Sequence, residues 1–213
     1  MQIKLVGFLS LILLSGLPIL FCSCEQRQNK APAIRADRHP ITPVTVEVRA
    51  DGLAYLPGSS NPFTGDAISP HPDSPWRIKM KEPYRDGKRD GDKLELLKDG
   101  KTKTLRRYEK GVPKYAAAYY KNGQIKFELN LNSEDKGEGP YKRWYEDGSV
   151  ESTASFDSNE RWHGDLKEWD RSGKLKTHHF WENGSLRKVI LENEETTRSR
   201  KEKGIEVQAA PGA

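Results

Sequence analysis

Cysteine is nearly missing from this chain of 213 residues. Both copies, Cys22 and Cys24, close the N-terminal apolar stretch, so the body that follows has no disulfide framework and no thiol chemistry. Apolar residues are scarce too: 34% hydrophobic against 31% charged is too little for a thick core. An elongated array whose units touch only their neighbours tolerates such a composition better than a globule does. A basic stripe is also missing. The net charge of +5 comes from interspersed signs, which suits solubility and speaks against nucleic acid binding. The histidines, His39, His71, His163, His178 and His179, show no metal-ligand spacing. His178 and His179 are strand neighbours and point to opposite faces. No carboxylate-dense loop suits calcium. Gly137-Glu138-Gly139 lacks the helix that a phosphate cradle needs, and no nucleophile elbow occurs. Glu146, Asp147 and Glu151 are more simply solvated positions than a glycosidase pair. The expectation is therefore no catalytic residue, no metal and no cofactor.

What is present is a repeat. Turns ending at Gly100, Gly123, Gly148 and Gly173 close the runs DKLELLKDG, KYAAAYYKNG, PYKRWYEDG and DLKEWDRSG, a period near 24. A second set of turns alternates with them: Asp86-Gly87, Lys110-Gly111, Lys136-Gly137, Ser158-Asn159 and Asn183-Gly184. Two, four, six and eight residues after Gly123 come Ile125, Phe127, Leu129 and Leu131, and the positions between them are mostly polar. Period two with one apolar face marks half-buried antiparallel strands, and the Asp-Gly and Asn-Gly pairs suit type I′ turns. The fold expected over residues 44–191 is all-β: tandem antiparallel β-hairpin repeats in a single-layer, elongated, twisted sheet. Val44, Val46 and Val48, the turn Asp51-Gly52, then Leu53 and Tyr55 predict a first hairpin that caps it. Residues 57–75, with five prolines, predict loop.

Aromatics recur at fixed places. Four residues before each turn glycine stand Leu96, Tyr119, Trp144 and Trp169; three before stand Leu97, Tyr120, Tyr145 and Asp170. These columns point to opposite faces, so both cannot share one core. Cross-strand packing accounts for most of them. The column left accessible would meet a protein partner, with Tyr119, Tyr120, Trp144, Tyr145, Trp169 and Trp181 as contacts and Arg143 and Lys167 as a charged rim. A glycan or membrane-surface reader and an inert spacer are the alternatives.

The ends carry their own signals. Residues 1–23 have the shape of a secretory signal peptide, and LFCSC resembles a bacterial lipobox in which Cys24 is lipidated. Cleavage without a lipid and an uncleaved anchor are the other readings; each places the body outside the cytoplasm, at the bacterial cell envelope. Residues 24–43 predict a flexible tether and residues 192–213 a disordered tail.

The units GKRDGDKLELLKDGK, GEGPYKRWYEDGSV and ERWHGDLKEWDRSGKL, with Pro62-Phe63-Thr64-Gly65, resemble the bacterial variant of the MORN repeat, in an arrangement similar to YwqK-family antitoxins. That resemblance implies a hairpin array that binds another molecule without enzymatic activity. Combined with the leader, it implies an exported toxin as protein partner and an immunity-like role. The third unit departs from the pattern. It has Pro113-Lys114 where the others have Gly91, Gly139 and Gly164, and Ala116-Ala117-Ala118 leaves a thin patch.

Overall fold

The computed structural model describes residues 31–34 and 39–208; the signal peptide and the lipidated Cys24 expected from the sequence lie outside them. The strands in chain order are β1 (Glu47–Val48), β2 (Ala54–Tyr55), β3 (Gly65–His71), β4 (Ser74–Arg85), β5 (Lys88–Arg89), β6 (Gly91–Leu96) and β7 (Thr102–Glu109). They continue with β8 (Val112–Tyr119), β9 (Ile125–Leu131), β10 (Gly137–Trp144), β11 (Val150–Phe156), β12 (Gly164–Trp169), β13 (Leu175–Glu182) and β14 (Ser185–Glu192), followed by the helix α1 (Glu194–Glu202). Strands β3 to β14 make one 12-stranded antiparallel meander, each strand beside its sequence neighbour except that short β5 pairs only with β4, beside which β6 lies. The all-β hairpin array is therefore observed, with β1 and β2 as a separate two-stranded hairpin.

The two sets of turns differ. Asp86-Gly87, Lys110-Gly111 and Asn183-Gly184 are two-residue turns with both φ angles positive, as type I′ requires. At Gly100, Gly123, Gly148 and Gly173 only the glycine is left-handed, with φ of 83, 87, 89 and 81°. There the glycine N–H donates to the residue three back, as from Gly123 to Tyr120 O at 2.9 Å. The hairpin then closes one residue later, as from Tyr120 N to Gln124 O at 2.8 Å. These are three-residue loops with a bulge at the glycine, not the type I′ turns expected from Asp-Gly and Asn-Gly. The turns expected at Lys136-Gly137 and Ser158-Asn159 use the same loop, with Asp135 and Glu160 in the left-handed position.

Three further expectations change. The proline-rich stretch is loop only in its first half: β3 occupies Gly65–His71 and β4 begins at Ser74, because β3 is the sheet's edge and its register shifts around Pro70, where a missing N–H costs nothing. The tail beyond Leu191 is not disordered throughout. Asn193 caps α1 by accepting the Thr196 N–H at 2.8 Å, with Glu194 and Glu195 in the first turn and Arg200 and Lys201 in the last. The tether is not wholly free either: Ala31 N donates to Gly123 O and Ile34 N to Gly100 O, each at 3.0 Å.

Burial is thin and divided between two adjoining clusters. Leu94, Leu96 and Leu105 pack with Ile34, Ile78, Tyr115 and Tyr119; Ala117, Ile125 and Trp144 pack with Tyr115, Tyr119 and Val150. The outer edges are partly covered. Val44 exchanges hydrogen bonds with Ile68 on β3, and Gln208 N donates to Leu186 O on β14 at 2.7 Å.

Gly100 and Gly173 share nearly the same φ, but a Cβ on Gly100 would collide with the Ile34 carbonyl oxygen whereas one on Gly173 meets nothing within 4 Å. Gly173→Ala should cost about 1 to 2 kcal/mol, the penalty of a left-handed L-residue. Gly100→Ala should cost that and also dislodge residues 31–34. Urea midpoints, with proteolysis near Arg35 as the second readout, measure the difference.

Candidate binding faces of the array

Strand pairing sets side chains into rows across the sheet. One row runs Leu94, Leu105, Ala117, Glu128, Lys142, Thr153, Lys167 and His178. It is apolar where the two clusters lie and polar beyond them. Beside it on the same face, nearer the turn glycines, stand Leu96, Tyr119, Trp144 and Trp169. Trp144 is only 5% exposed, so it serves the core rather than a partner. The Lys142 ammonium lies 4.9 Å from the centre of its ring. Tyr119 is half-buried, and burial is the largest cause of the upward shift of its phenol. Trp169 is half-buried and forms one wall of an open hollow of about 410 Å³ with Lys142, Val150, Thr153 and Gly173. Lys167 stands in the same row as Lys142, two strands away.

Tyr120, Arg143 and Tyr145 belong to the other side. Tyr120 Oη donates to Trp144 O and Tyr145 Oη to Trp169 O, both at 2.9 Å and both 24 residues along the chain. This rung ties each hairpin to the next, a structural use of the column that alternation alone does not reveal. Arg171 lies 4.6 Å from the centre of the Tyr145 ring, and Arg143 Nε pairs with Glu151 at 2.8 Å. Tyr120→Phe and Tyr145→Phe should each lower stability by about 1 kcal/mol, the net worth of one such bond, read from urea midpoints.

Farther along this side, Phe127, Tyr141, Phe156 and Trp162 form a ring cluster, with Phe156 stacked on Trp162 at 4.3 Å. Trp181 stands beyond them, 6.5 Å from the His179 ring. Here α1 approaches the sheet. Trp162, Leu166, His179 and Trp181 line a cavity of about 450 Å³ with Thr196, Ser199 and Arg200 of the helix. Glu192 binds His179 Nε2 at 2.6 Å and Arg200 Nε at 2.8 Å, all three nearly buried. His178 instead meets Asp165 at 2.8 Å, so the adjacent histidines do point apart. The candidate contacts thus split: Tyr119, Trp144, Lys167 and Trp169 on one face, Tyr120, Arg143, Tyr145 and Trp181 on the other. Lys142, Glu192 and Arg200 were not singled out by the sequence. Lys142 could have been, since it stands two residues before a column aromatic.

Among the described residues, no three His, Cys, Asp or Glu side chains gather as a metal ion would require. No helix among them is long and apolar enough to cross a membrane.

Fold and faces define a tandem β-hairpin repeat protein. Residues 137–158 and 162–183 match the family described as the MORN repeat variant. The first match covers β10, its Gly148 turn and β11; the second covers β12, the Gly173 turn and β13. MORN repeats are non-catalytic, repeat-type binding modules. No curated protein matches the chain.

Proposed function

We propose that the protein is a non-catalytic binding protein of the bacterial cell envelope that recognises a protein partner, in an immunity-like or antitoxin-like role, from a leader-derived anchor at Cys24. The observation that carries the binding role is the open hollow at Trp169. It is an aromatic wall beside a lysine, placed between repeats and not consumed by the core. Aromatic and cationic side chains in such a setting are the usual anchors of protein interfaces.

The test is crosslinking of a tagged copy in its native cells, with the double variant Trp169→Ala/Lys142→Glu as control. Trp144 is unsuited as a control because its loss damages the core. One stoichiometric protein, lost in the control, supports the reading and identifies the partner. Recovery of envelope polymer alone, or of lipid in a salt-sensitive manner, replaces it with a glycan or membrane-surface reader.

A further inference from the structure

The chain already carries a docked peptide. Ala31 N donates to Gly123 O, Ile34 N to Gly100 O and Thr102 N to Pro32 O, while Ile34 packs onto Leu94, Leu96 and Leu105. Three residues of extended backbone therefore reach from one turn glycine to the next. The match is geometric. Neighbouring repeats are two strands apart, about 9.6 Å at ordinary strand spacing, and three extended residues reach about 10 Å. An extended peptide laid across the turns thus keeps register with the array.

The row goes on. Gly148 and Gly173 have the backbone conformation of Gly100 and Gly123, yet among the described residues no backbone N–H donates to either carbonyl. Counting by repeats, the positions that Leu94, Leu96 and Leu105 hold under Ile34 fall to Lys142, Trp144 and Thr153 beside Gly148. Lys142 and Thr153, with Val150 and Trp169, line the open hollow that ends at Gly173.

We propose that the turn glycines form a groove for extended peptide, whose first two registers hold residues 31–34 and whose registers at Gly148 and Gly173 take a segment of a partner protein. That segment places an aliphatic side chain in the hollow and carboxylates toward Lys142 and Lys167. This rests on the protein-binding reading above and supplies its geometry. The preceding residues of the chain itself, Glu25-Gln26-Arg27-Gln28-Asn29-Lys30, have no aliphatic side chain and two bases to one acid. They are a poor chemical match for a hollow flanked by lysines.

The experiment is fluorescence anisotropy on the purified protein. The probe is a labelled octapeptide carrying Ala-Pro-Ala-Ile, the sequence of residues 31–34, between acidic pairs. Binding is expected to weaken at least tenfold in Trp169→Ala, in Gly173→Ala, and when the peptide's Ile is replaced by Ser. Lys142→Glu should reverse the preference from acidic to basic flanks, a readout that mere misfolding does not give; urea midpoints check folding. Absence of binding, or binding indifferent to these changes, overturns the groove. Binding that appears only after deletion of residues 25–30 also overturns it, because the hollow would then belong to the chain's own segment. A partner captured by crosslinking and retained by Gly173→Ala would leave protein recognition standing and the groove refuted.

Discussion

Replacing Glu192 with alanine should release α1 from the sheet. The helix buries no residue of its own, and nine residues are too few to hold a helix alone in water. Its main tie is one carboxylate at the end of β14. Glu192 accepts from Arg200 Nε at 2.8 Å and from Thr197 Oγ1 at 2.9 Å, and it meets His179 at 2.6 Å. The Glu192 side chain is 5% exposed and that of Arg200 15%. Removing one partner of such a pair costs about 3 to 5 kcal/mol if the other charge stays in place. Undocking the helix costs less than that, so Arg200 returns to water instead. Trypsin should then cut after Arg198, Arg200 and Lys201 at least tenfold faster than in the parent, while the sheet's urea midpoint moves little. A variant that keeps its helix protected would show that the tie lies elsewhere.

Acid should do the same without mutation. Burial pushes the Glu192 carboxyl up, but the hydrogen bonds from Arg200 and Thr197 and the charges of Arg200 and His179 outweigh it and hold the group below its ordinary 4.5. A depressed carboxyl contributes its full stabilisation above 4.5 and loses it as pH falls through the lower folded value. Helix release through protonation of Glu192 is therefore expected only below pH 4.5. Circular dichroism near 222 nm as pH falls through that value reads it.

The array was legible because its cause is local. Turn glycines recur, apolar residues alternate, and each strand pairs with its sequence neighbour, so no long-range choice had to be guessed. The alternation that separates Trp144 from Tyr145 was equally legible. What each column does was not. The burial of Trp144 depends on Ala117 and Val150, which come from neighbouring strands, and the rung from Tyr145 to Trp169 O needs the adjacent turn's backbone. Turn type escaped because Asp-Gly suits two loops, and strand stagger decides between them. The helix α1 had a local signal in Asn193-Glu194-Glu195 with Arg200-Lys201, but its sequence has no apolar stripe. A buried ion pair holds it where a hydrophobic face ordinarily would. Residues 31–34 carried no periodic signal at all, since they meet the array through backbone groups that composition does not report and through one apolar side chain, Ile34.

Trp144→Ala should be the most damaging truncation in the repeats, lowering stability by about 3 to 5 kcal/mol. Its indole packs with Ala117 and Ile125 and against Tyr115, Tyr119 and Val150, joining strands β8 to β11. Its carbonyl anchors the Tyr120 hydroxyl. In a globule the surroundings would relax into part of the gap. A one-sheet array has only the adjoining hairpins to do so, and each unit's stability rests on the interface with its neighbours. The gap therefore weakens the coupling between the halves of the array. Hydrogen exchange should show β8 to β11 opening at a lower free energy than β12 to β14, and urea unfolding should broaden as the halves lose cooperativity. Trp169→Ala removes the same side chain from the same place in the next repeat, but there one side of the ring already faces the open hollow. Its cost should stay near 1 to 2 kcal/mol, because a half-exposed ring gives up only part of its burial. Equal costs at the two positions would mean that Trp169 is as much core as Trp144, and the hollow beside it would then have no claim as a docking site.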